Sequence, residues 1–158
     1  GLRVGWVHAA PELADTLATL QEMSFISLPA LDALLVAAFL ERHGLEAQLQ
    51  RVRSFLRDQR DALLRALGDA RLEALGCAVM ASAGGCFLGL TLPPGREATP
   101  VARRLATDFG VATVPERAFW PPSVPETPDR FLRLSFSWAT PEEFSRSAEA
   151  FRRVLTLS

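Results

Sequence analysis

The sequence contains no lysine and no tyrosine, and all 17 of its basic residues are arginine. A chain without lysine has no ε-amino group to serve as a nucleophile or to condense with a carbonyl compound. A GC-rich coding sequence, which favours arginine codons, accounts for the bias without invoking chemistry. Cysteine is almost as scarce. Cys77 and Cys86 each sit inside an apolar run, which suits buried free thiols in a reducing, cytoplasmic setting better than a disulfide framework. His8 and His43 are far apart, and no Cys/His cluster has metal-ligand spacing, so no metal site is expected. The formal net charge is −1, which gives no global field to favour nucleic acid or an anionic membrane. Long apolar runs are missing too. The stretch from Leu28 to Leu40 is broken by Pro29 and Asp32 and is too short to span a bilayer. Gly1-Leu2-Arg3 leads straight into strand-like sequence, so no signal peptide is expected. A start on Gly, in mid-strand and without a cap or turn, suggests a piece of something longer.

What is present reads as globular. Of 158 residues, 49% are hydrophobic and 22% charged, enough to build one domain, or a small domain plus part of another. Val4 to Val7 is apolar and predicts a short buried strand. Pro11-Glu12 opens a helix, with proline at the first position and an acid at the positive end of the dipole, and Leu13, Leu17 and Leu20 keep helical spacing. A second, largely apolar helix is predicted over 30–42, capped by Gly44. The longest periodic segment runs from Leu45 to Leu67. Its apolar stripe is Leu45, Leu49, Val52, Leu56, Leu63 and Leu67, with charges mostly off it.

Composition then shifts. Runs over 77–82 and 86–92, joined through Ala83-Gly84-Gly85, predict a β-hairpin. A helix over 98–109 should stop at Gly110, followed by a short strand over 111–114. Residues 121–128 carry four prolines and read as loop. Phe131 to Ser137 alternates as a half-buried strand. Thr140-Pro141-Glu142-Glu143 is a capping box that starts a final helix, which leaves Glu142 and Glu143 no catalytic role.

Candidate functional residues are few. In Leu132-Arg133-Leu134-Ser135-Phe136-Ser137, alternation puts Arg133, Ser135 and Ser137 on one face. A guanidinium held on a strand can grip a carboxylate in bidentate geometry, although a solvated strand face is the simpler reading of the pattern alone. Arg3, between small neighbours, suits an anion such as phosphate, or plain solvent. Arg51, Arg53, Arg57 and Arg60 interleave with Asp58 and Asp61, and an Arg57–Asp61 pair at i,i+4 fits a solvated helix face rather than a nucleic-acid stripe. Trp6, Trp120 and Trp138 read as core or pocket wall.

Several segments in order resemble the class I/II aminotransferases of fold type I, particularly the 2-aminoadipate and broad-specificity branch. They are Gly1-Leu2-Arg3-Val4-Gly5-Trp6, Phe39-Leu40-Glu41-Arg42-His43-Gly44-Leu45, and Gly84-Gly85-Cys86-Phe87-Leu88 with Leu92-Pro93. Gly110-Val111-Ala112-Thr113-Val114-Pro115 with Ala118-Phe119 follows, and then the Arg133 strand. The resemblance implies an α/β fold, the C-terminal part of a pyridoxal-phosphate transferase. Residues 1–44 would end the large cofactor-binding lobe, 45–68 would be the connecting long helix, and 69–158 would form a small lobe whose short, mostly antiparallel sheet is covered by helices. It also implies that Arg3 binds the phosphate of pyridoxal 5'-phosphate and that Arg133 binds the α-carboxylate of the substrate. The parent would exchange an amino group between an amino acid and a 2-oxo acid, as a homodimer. The family's Schiff-base lysine would lie upstream of Gly1, so this chain alone is expected to bind the cofactor poorly and to be inactive. The sequence departs from the family at Glu116, where many relatives have glycine, and at Trp138, where a small or aliphatic residue is common. Two alternatives stay open: the aminotransferase-like domain of a winged-helix transcriptional regulator, and a non-catalytic interaction module.

Overall fold

The computed structural model describes residues 2–25, 30–80, 82–124 and 128–156. They divide into two compact units, one ending at Arg51 and the other starting at Val52.

The first unit holds helices α1 (Pro11–Phe25) and α2 (Ala30–His43) and the first residues of α3 (Glu46–Asp69). Gly44 ends α2 in the left-handed region, at φ 69°, and its N–H donates to the Leu40 carbonyl. No residue of α1 or α2 is buried. Leu13, Leu20, Leu31, Leu34 and Phe39 all stay exposed, so the apolar faces that drive these helices in the sequence find no cover here. The buried strand expected at Val4–Val7 does not form. Residues 2–10 are irregular, and Trp6 and Val7 are 78% and 71% exposed. A strand needs a ladder partner for its backbone, and these residues find none among those described. The left-handed backbone of Arg3, at φ 58°, also interrupts any extended run.

The second unit is a two-layer α/β structure. Strands β1 (Ala78–Met80), β2 (Phe87–Thr91), β3 (Val114–Pro115) and β4 (Phe131–Ser135) form one sheet in the order β1-β2-β4-β3, antiparallel throughout. Helices α4 (Ala98–Phe109) and α5 (Pro141–Thr156) and the C-terminal half of α3 supply the covering layer. The core joins Leu88 and Leu90 of β2 and Leu132 and Leu134 of β4 with Leu63 and Leu67 of α3, Leu105 of α4, and Phe151 and Val154 of α5. Each such aliphatic side chain contributes roughly 1.5–3 kcal/mol on burial.

Local chemistry explains the element ends. The Glu143 carboxylate accepts from the Thr140 N–H at 2.8 Å while the Thr140 hydroxyl accepts from the Glu143 N–H at 3.3 Å, the reciprocal pair the sequence announces. Gly110 closes α4 at φ 67°. The hairpin forms as the glycines suggest, with shorter strands than the apolar runs. The strand expected over 111–114 is reduced to Val114–Pro115, which pair with Arg133 and Leu132 of β4. The loop expected over 121–128 falls partly outside the described residues, at 125–127.

Other expectations are corrected. None of the three tryptophans is in the core: Trp6, Trp120 and Trp138 are 78%, 43% and 94% exposed, and of the two places expected for them Trp138 takes the wall of a groove. Cys77 is buried but Cys86 only half so, and both are free. Asp61 pairs with its neighbour Arg60, at 2.8 Å, rather than with Arg57, because the adjacent guanidinium reaches one carboxylate oxygen with two N–H groups. Among the described residues no group of acidic, histidine or cysteine side chains could hold a metal, and no helix is long and apolar enough to cross a membrane.

Candidate functional site

Arg133 lies at the middle of β4, a strand with neighbours on both sides. It is opposite Gly89 of β2 and opposite Val114 of β3. Alternation works as the sequence indicates: Leu132, Leu134 and Phe136 are 0%, 5% and 1% exposed, while Arg133, Ser135 and Ser137 face away from the core. A doubly paired strand is the stiffest backbone this sheet offers, so the position of the Arg133 Cα is well fixed.

The head group is placed by aromatic rings. Its guanidinium carbon lies over the Phe87 ring at 4.2 Å from the centroid and over the Phe119 ring at 5.1 Å. Phe87 opens β2, and Phe119 ends a short 3-10 turn that follows β3. Phe119 is itself backed by Phe131, with ring centroids 6.3 Å apart. Gly89 makes the packing possible: a Cβ there would come within 2.6 Å of both Phe131 Cε2 and Met80 Cε. Among the described residues Arg133 has no carboxylate partner.

The turn carrying Phe119 is tied down at its base. One Asp129 carboxylate oxygen accepts from the Thr99 N–H at 2.8 Å and the other from the Arg117 N–H at 3.3 Å, and the Glu116 carboxylate accepts from the Arg130 N–H at 3.0 Å. Glu116, one of the departures noted in the sequence, therefore has a structural task. Trp138, the other, overhangs a groove of about 790 Å³ lined by residues of α4, α5 and the 110–113 segment, together with Ser135 but not Arg133.

Arg3 belongs to the first unit. It is exposed, has no ion-pair partner among the described residues, and holds a left-handed backbone that costs a non-glycine residue about 1–3 kcal/mol. Phe87, Phe119 and Gly89 were not recognised in the sequence as parts of a site. For Phe87 and Gly89 the signal is the β period, which sets both on the face opposite Leu88; Phe119 lies in a 3-10 turn and carries no such signal.

The family model for aminotransferase class I and II matches residues 1–151. A 2-aminoadipate transaminase of Thermus thermophilus is 30% identical over 155 residues, covering 98% of this chain and 37% of that protein. An aromatic-amino-acid aminotransferase of Thermococcus litoralis is 28% identical over 143 residues, covering 90% and 33%. A crystal structure of α-aminoadipate aminotransferase from Thermus thermophilus, complexed with N-(5'-phosphopyridoxyl)-L-leucine, superposes with a TM-score of 0.84 at 29% identity over 98% of this chain and 38% of its own.

Proposed function

Because the chain belongs to the class I and II aminotransferases, we propose that it forms the C-terminal part of a pyridoxal-phosphate enzyme that exchanges an amino group between an amino acid and a 2-oxo acid. The chain spans about a third of the length of the relatives it matches. On this reading residues 1–44 end the large lobe, 45–68 connect, and 69–158 are the small lobe. The parent is a cytoplasmic homodimer. The uncovered apolar residues of the first unit, such as Trp6 at 78% and Phe25 at 69% exposure, support a longer parent over a self-contained interaction module.

When bound, pyridoxal phosphate supplies the electron sink that makes the substrate Cα–H acidic. The residues of this chain fit its surroundings by their chemistry. Among the described residues, Arg3 has no ion-pair partner and holds a left-handed backbone, and Arg133 has no acid beside it. We assign phosphate binding to Arg3 and the substrate α-carboxylate to Arg133. A planar carboxylate gripped at two points cannot rotate, which holds the Cα–H in one direction for proton removal. The covalent tether must come from outside, since the chain has no lysine.

The observation that carries this reading is the guanidinium of Arg133 on the doubly paired strand β4, held by two rings and without a carboxylate partner among the described residues. In the intact enzyme, Arg133→Gln is expected to raise KM for the amino acid at least about 30-fold, from the 2–5 kcal/mol that losing one partner of a charged pair costs. An unchanged KM overturns the assignment. The 158-residue chain alone is expected to show no turnover with pyridoxal phosphate and a range of amino acids, and turnover by it would refute the need for an external lysine.

A further inference from the structure

Resting on the reading that Arg133 receives the α-carboxylate, we infer that Phe87 and Phe119 are the positioning residues of that site, two aromatic faces that fix the guanidinium without using its hydrogen-bond donors. Several other arginines of the second unit are held by oxygen acceptors instead. Arg60 donates to Asp61, Arg152 and Arg153 donate to Glu149, and Arg96 and Arg117 donate to the carbonyls of Leu155 and Val124. An arginine held in that way has part of its N–H fork engaged before any ligand arrives.

Arg133 is held differently. A cation over a ring is attracted by the π face itself, so no oxygen acceptor is needed to keep it there. The N–H groups lie in the guanidinium plane and point outward at its rim, where a carboxylate can meet two of them side by side. Two rings at 4.2 and 5.1 Å narrow the positions open to the head group more than one could. They come from separate elements, one opening β2 and the other ending the turn after β3, so each constrains the guanidinium independently. Gly89 directly opposite Arg133 leaves the space above the sheet free for Phe131, which backs Phe119. The arrangement presents a pre-oriented donor edge beside an apolar wall, which suits an amino acid whose carboxylate must be fixed while its Cα stays accessible.

The test uses the intact enzyme and the 158-residue chain together. In the enzyme, Phe87→Leu and Phe119→Leu are each expected to raise KM for the amino acid about two- to fivefold, the range expected from losing one exposed cation–π contact, and together about tenfold. Turnover at saturation should stay within about twofold, because the contact acts equally on bound substrate and transition state. Phe87→Tyr and Phe119→Tyr keep the ring and should restore KM. In the chain, labelled at arginine nitrogen, the Arg133 Hε resonance is identified by its loss in Arg133→Lys. It should lie upfield through the ring currents and move downfield in the leucine variants but not in the tyrosine ones. If Arg133→Gln raises KM and the leucine variants do not, or the Hε resonance is unmoved by them, the positioning role is refuted while the carboxylate assignment stands. If Arg133→Gln itself leaves KM unchanged, the underlying reading fails and this inference with it. A fall in turnover that tracks a fall in melting temperature marks a purely structural role and also overturns the proposal.

Discussion

Replacing Gly89 with alanine adds one methyl group beneath Met80 and Phe131, on the sheet face opposite the core. The new Cβ would lie 2.6 Å from Met80 Cε and from Phe131 Cε2, and 3.1 Å from Phe131 Cδ2. Carbon atoms rest at about 3.5–4.0 Å, so both groups must retreat by about 1 Å. Met80 is half exposed and its terminal methyl can swing away. The Phe131 ring is stiffer and is backed by Phe119. Overpacking of this kind costs about 1–3 kcal/mol, while exchanging glycine for alanine in a strand returns about 0.5–1 kcal/mol of backbone entropy. The net expectation is a loss of about 1–2 kcal/mol, seen as a melting temperature lower by roughly 3–6 °C in thermal unfolding of the chain. The culprit can be checked by a double-mutant cycle. In a Phe131→Ala background there is no ring to displace, and Gly89→Ala should become neutral or mildly stabilising, a coupling of about 1 kcal/mol or more. If Gly89→Ala melts at or above the parent, or costs the same in both backgrounds, the steric reasoning is wrong.

Two further expectations concern the rest of the second unit. Thr140→Ala removes the hydroxyl that accepts from the Glu143 N–H at the start of α5 and should cost about 1 kcal/mol in urea unfolding; no loss would mean the cap contributes nothing to stability. Burial raises the Cys77 thiol from its ordinary value near 9 to about 11, so the folded state favours the neutral thiol. The associated stability is intact below about 9 and is lost as pH climbs toward 11, where the unfolded chain ionises first. Urea midpoints should therefore fall between pH 9 and 11 more steeply than in Cys77→Ala, and parallel curves would contradict the burial effect.

The position of Arg133 was legible in its neighbours because a strand period of two needs only local sequence. Leucines at 132 and 134 and Phe136 had to face the core, so Arg133 had to face away. Helix α5 was legible for the same reason, since Thr140 and Glu143 cap each other across a single turn. The absence of lysine is likewise a fact of the sequence alone, and it removes any lysine ε-amino group from these 158 residues whatever the fold. Residues 4–7 show where local reading stops. Their apolar character is real, but a strand exists only where another backbone pairs with it, and that partner is not a property of four residues. The clamp on Arg133 belongs to the same class. Phe87 and Phe119 are 32 positions apart and meet the guanidinium only because β2 and β3 flank β4 in the sheet order β1-β2-β4-β3. Periodicity fixed which way each side chain faced. Which groups met above the sheet was decided by long-range strand pairing, because contact between distant residues depends on register and topology, and neither is written in any short stretch of chain.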